Sequence, residues 1–146
     1  SRTVVAAHHW GYSRGMSGLV PYLHFDGSAR NALTFYQSVF GGELELFTYG
    51  EFSRTDGPKD AIAHGSLSGL VTLFAADAAP GEASVSMAGM EFSLLGTAPA
   101  EELTAWFAAL ADGGEIVDAL QQRPWGDYDG MVRDRFGIRW LIGYQG

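Results

Sequence analysis

The 146-residue chain contains no cysteine, so disulfides, zinc–thiolate sites and a cysteine nucleophile are excluded together. Positive charge is scarce: nine Lys and Arg stand against seventeen Asp and Glu, a net charge of −8. Nucleic-acid affinity rests largely on clustered Lys and Arg, so a nucleic-acid partner is not expected. The densest basic stretch, 133–139, is broken by Asp134 and Phe136 and reads as turn chemistry. Long apolar runs are missing too; none approaches the roughly 18 to 20 residues that span a bilayer, and no signal-peptide core appears near the first residue. No membrane partner is expected, and a cytoplasmic location is the default. A glycine-rich strand-to-helix turn of the nucleotide-binding type is also lacking.

What remains describes a globular domain. The composition is 47% hydrophobic and 18% charged, and a chain near 150 residues buries about 70% of its unfolded surface without staples. Residues 1–17 show neither a strand nor a helix period and read as an N-terminal arm; its adjacent His8 and His9 suit only adventitious metal binding. Regular signals begin at 19–25, a short apolar and aromatic run bounded by Gly18 and Asp26-Gly27. Ala32, Phe35, Tyr36 and Val39 then fall at helical spacing, with Asp26 or Ser28 available as N-cap and Gly41-Gly42 as the stop. Strands follow at 43–49, 60–67 and 70–76, the last two joined by Ser68-Gly69 as a hairpin.

The second half repeats this order. A strand at 90–95 leads to Thr97 as cap and to a helix opening on Pro99, Glu101 and Glu102, with strands at 115–120, 128–133 and 139–144 beyond it. Leu103, Trp106, Phe107 and Leu110 match the first helix face at a constant offset of 71, and both helices end in Gly-Gly-Glu. An internal repeat at this spacing predicts two tandem βαβββ modules, at 18–77 and 89–145, joined by a linker at 78–88 within one domain over 18–146. The fold class is α+β.

Four stretches carry a family resemblance: Pro21-Tyr22-Leu23-His24-Phe25-Asp26-Gly27, Phe35-Tyr36-Gln37-Ser38-Val39-Phe40-Gly41-Gly42, Ala61-Ile62-Ala63-His64-Gly65 and Asp134-Arg135-Phe136-Gly137-Ile138-Arg139-Trp140. Together with the repeat, they resemble the PhnB-like subgroup of the vicinal oxygen chelate superfamily, which includes glyoxalase I, bleomycin-resistance proteins and extradiol dioxygenases. The resemblance implies curled mixed sheets enclosing a cleft, and a homodimer. It also implies, for the superfamily's metal enzymes, one His, Glu or Gln ligand on the first and the last strand of each module.

Carried onto this sequence, the first-strand ligand position falls on Pro21 and the final one on Trp140, neither of which can bind a metal. The last strand of module one has no carboxylate, imidazole or amide over 71–76, and the first strand of module two offers only Glu91. No cofactor is therefore expected, with a divalent metal on His24, His64 and Glu91 as the alternative. His64 is the candidate acid or base, since an imidazole can serve as either, and core hydrogen bonding is its competing role. Phe25, Phe47, Trp125, Tyr128 and Trp140 are candidate ligand-stacking rings, and Arg133 a candidate partner for an anionic ligand. The expected function is binding of a small organic molecule without the usual metal. The alternatives are a metal-dependent lyase, isomerase or dioxygenase with a displaced ligand set, and a non-catalytic dimeric interaction module.

Overall fold

A computed structural model describes residues 18–146, so the expected arm with its two histidines lies outside the described residues. The chain divides between Val85 and Ser86 into two units. The first contains β1 (Tyr22–Phe25), α1 (Ala29–Phe40), β2 (Glu43–Thr48), β3 (Ile62–Ser68) and β4 (Leu73–Asp77). The second contains β5 (Phe92–Leu95), α2 (Ala100–Ala111), β6 (Glu115–Gln122), β7 (Tyr128–Arg133) and β8 (Arg139–Tyr144). Each folds one four-stranded mixed sheet, ordered β1-β4-β3-β2 and β5-β8-β7-β6. In both, the outer first strand pairs parallel with the last, and the remaining pairings are antiparallel. The helices start and end 71 residues apart, so the repeat read from their apolar faces extends to their boundaries.

Each helix covers one sheet face. The side chain absent at Gly65 on β3 would meet Leu33 Cδ1 at 2.6 Å, which fixes that side of the first sheet as the one under α1. Leu23, Phe25, Leu67, Leu73 and Ala75 are buried there beneath Ala32, Leu33, Tyr36 and Phe40. The stripe is rotated from the expected one, because Phe35 and Val39 stay half-exposed while Leu33 and Phe40 are buried. In the second unit Leu103, Trp106, Phe107 and Leu110 are buried as the periodicity predicts, over a buried row of Val132, Trp140 and Ile142.

The shared Gly-Gly has the same two causes in both copies. Gly41 and Gly113 turn the chain out of the helix at φ 74° and 75°, where side chains with a Cβ are strained. At Gly42 a Cβ would lie 2.5 Å from the Ser68 carbonyl oxygen, and at Gly114 it would collide with that of Arg133. The strand after each helix thus enters the sheet at a point with no room for a side chain.

Several boundaries differ from expectation. The β3–β4 connection runs over residues 69–72 instead of a two-residue turn, leaving Leu70 exposed. Neither Asp26 nor Ser28 caps α1 through its side chain. The buried Asp77 does so from the end of β4, one oxygen accepting from the Ala29 N–H at 2.9 Å and the other from the Ile62 N–H at 2.8 Å. In α2 the cap position is Pro99, not Thr97. Its carbonyl accepts the first helical bond from Leu103, and Glu101 and Glu102 favour the amino end of the dipole.

Candidate functional site

In the first sheet the period-two alternation of β1 sends Leu23 and Phe25 under α1 and leaves Tyr22 and His24 on the open face. The pairings Tyr22 with Phe74, Phe74 with Ser66, and His64 with Phe47 bring those residues to the same face. Tyr22 is the centre of the group. Its hydroxyl is hydrogen-bonded to His64 Nδ1 at 2.9 Å, its ring stacks on His24 at 4.9 Å, and Phe74 meets it edge-on at 6.0 Å. Phe74 also closes on the His64 ring at 5.5 Å. His64 is only 1% exposed, whereas His24 is open to solvent and Tyr22, Phe47 and Phe74 are half-buried. Phe47 stacks on Phe52 from the loop after β2. The result is an imidazole–phenol pair walled by rings, with a second imidazole on its exposed side.

Of the ligand-stacking candidates, Phe25 is elsewhere than expected, since its ring is buried under α1. Trp140 is likewise 1% exposed, meets Phe92 edge-on, and donates from Nε1 to Asp134 Oδ2 at 2.9 Å. Both rings sit one residue out of phase with the open faces. Tyr22 and Phe74 were not singled out as site residues, although the alternation of Tyr22 and His24 against Leu23 and Phe25 already carried the signal.

Trp125 and Tyr128 are brought together in the second unit. They line a hollow of about 640 Å³ with Leu95, Asp127 and Tyr144, and Tyr128 stacks on Tyr144 at 5.1 Å. Asp129 in its wall is held at 2.7 Å by Arg123, which also binds Asp118 at 2.6 Å. Those two carboxylates push the arginine's pKa further up. A second hollow, about 440 Å³, lies in the first unit beside Tyr49, Pro58, Asp77 and Pro80. Two of its polar side chains are already engaged: Asp77 holds two amides, and the Tyr49 hydroxyl donates to the Asp77 carbonyl at 2.8 Å. Burial raises the Tyr49 pKa, although the Arg54 guanidinium, 3.8 Å from the ring centre, opposes the shift.

Two duplicated βαβββ units of this topology define a glyoxalase-type protein, and the comparisons with known proteins agree. The profile of the Glyoxalase/Bleomycin resistance protein/Dioxygenase superfamily matches residues 18–142, and the chain belongs to that superfamily. Protein YjdN of Escherichia coli strain K12 is 34% identical over 140 residues, covering 85% of this chain and 92% of its own. The crystal structure of protein PA1353 from Pseudomonas aeruginosa is 32% identical with a TM-score of 0.75, covering 89% and 98% of the two chains. A Bacillus cereus structure described as a putative 3-demethylubiquinone-9 3-methyltransferase, PhnB protein, shares the fold at 21% identity and a TM-score of 0.72, over 88% and 99%.

The superfamily's metal chemistry needs donors on the open faces of the first and last strands of each unit. The residues there are Tyr22 and His24 on β1, Phe74 and Ala76 on β4, Ser93 and Leu95 on β5, and Arg139, Leu141 and Gly143 on β8. His24 is the one imidazole among them, and no carboxylate joins it, so this donor set does not fit a metal. Of the displaced set, His24 and His64 flank Tyr22, and Glu91 lies just before β5 in the second unit. Among the described residues no three His, Asp or Glu side chains are grouped to hold an ion.

Proposed function

We propose that this chain binds a small organic molecule bearing an aromatic ring on the open face of its first sheet. The Tyr22–His64 pair acts as the polar anchor. The observation that carries this reading is that pair itself, a buried imidazole joined to a phenol at 2.9 Å and walled by Phe74 and His24. Rings of this kind offer stacking surfaces worth about 0.5 to 1.5 kcal/mol each beyond their buried area, and the anchor selects for a hydrogen-bonding substituent. Family membership supports a ligand-binding role, and the donor set described above supports one without metal. We further propose a homodimer, which the exposed Ile116 and Val117 on β6 favour.

The test is titration of the intact protein, with the His24 and His64 ring signals followed by NMR. The probes are bleomycin and a panel of planar phenols and aromatic acids. A saturable shift of both rings by at least one compound, weakened about tenfold by Tyr22→Phe or Phe74→Ala, is the expected outcome. Failure of the whole panel to move either ring would sink the reading.

A further inference from the structure

The turn between β7 and β8 is built around one buried carboxylate, and the proposed function makes no use of it. Asp134, 3% exposed, organises it. One carboxylate oxygen accepts from the N–H groups of Phe136 at 2.8 Å and Ile138 at 3.1 Å, and the other accepts from the Trp140 indole. The Asp134 N–H donates to the Ile138 carbonyl at 2.8 Å, closing the loop at its base. The charge of Asp134 is thereby consumed on the helix side of the sheet, where Trp140 lies.

The two residues that flank this turn are both arginines. Arg133 and Arg139 are direct cross-strand partners on the open face, where like charges repel and destabilise a bare pair. Arg54, Arg123 and Arg135 each grip a carboxylate. Among the described residues Arg133 and Arg139 grip none, in a chain whose acids outnumber its bases by seventeen to nine. Glu115 is the register partner of Arg133, and Glu91 precedes the strand beside Arg139, yet neither joins an ion pair among the described residues. Arg139 Nε is buried with no acceptor among the described residues, and its terminal nitrogen rests 3.1 Å from the Met131 sulfur, a weak partner. Met131 and the half-buried Leu141 share this face and lower the local polarity around the guanidinium.

We propose that the Arg133–Arg139 pair is an oxyanion clamp that takes the carboxylate, phosphate or sulfonate group of a small molecule. An arginine guanidinium is a planar fork that meets an oxyanion with two N–H donors, and the cross-strand register sets the two arginines side by side. A bound oxyanion converts their mutual repulsion into two charge-assisted contacts and gives Arg139 Nε an acceptor.

The test uses the full ¹⁵N-labelled chain and follows the arginine Nε–Hε signals while inorganic phosphate or benzoate is added at constant ionic strength. A saturable shift at Arg139, weakened about tenfold or more by Arg133→Gln and absent in Arg139→Gln, is the expected result. Arg30→Gln is the control, being exposed and in the other unit. Unchanged amide signals of Phe136 and Ile138 confirm that each variant keeps the turn. The proposal is overturned if neither anion shifts Arg139, if sodium chloride or benzylammonium does so equally, or if Arg133→Gln binds as the native chain does.

Discussion

Single residues decide more here than their side-chain types announce. Asp77 ends an otherwise apolar strand, and from sequence it resembles any polar residue opening a loop. Its two oxygens complete the amino end of α1 and the start of β3 at once. Hydrogen bonds to a buried charged group contribute about 1.5 to 3 kcal/mol each, and losing the acceptor strands two amide donors. Asp77→Ala is expected to lower the unfolding free energy by about 3 kcal/mol, with Asp77→Asn intermediate, as read by urea denaturation at neutral pH. A loss under about 0.5 kcal/mol would show that water caps the helix equally well. Asp134 does comparable work in the other unit, where a turn was legible in the sequence and its carboxylate anchor was not.

At the level of elements, periodicity made the architecture readable because strand and helix periods act within a few residues. The bounds of β7 and β8 and the apolar face of α2 follow from local pattern alone. The caps did not, since a cap only needs an acceptor nearby in space and Asp77 lies 48 residues from the amide it serves. Which strand face lies open was legible only as a choice between two for a related reason. A strand slip of one residue exchanges its two sides, so counting from the helix placed attention on Pro21 and Trp140 when Tyr22, His24 and Arg139 occupy the opposite face. Packing between α1 and β3 is tight where no side chain intervenes. Gly65→Ala would place a methyl 2.6 Å from Leu33 Cδ1 and 3.0 Å from Leu46 Cδ2. The expected cost is about 1 to 3 kcal/mol, reading as a lower melting temperature without loss of secondary structure by circular dichroism.

For the molecule as a whole, the two copies are alike in topology and unlike in what they leave uncovered. The edge strand β2 keeps Leu44 and Leu46 half-buried, while its counterpart β6 exposes Ile116 at 54% and Val117 at 44%. An edge with unpaired backbone and apolar side chains is a natural docking line, and the irregular register of β6 against β7 limits open-ended pairing. Sedimentation at micromolar concentration is expected to show a dimer that Ile116→Glu converts to monomer; a monomeric native chain would remove the homodimer from the proposal. No described helix is long and apolar enough to cross a membrane. The reach of Asp77 also bears on the order in which such a chain can fold as it is made. On a ribosome, the Ala29 amide has no Asp77 acceptor until 48 further residues have been added, and β1 has no neighbour until β4 emerges. A message cut short before that point encodes a helix without its anchor and a strand without its sheet. The 71-residue spacing of the helices is the length of one such module, 18–77, together with its linker, 78–88.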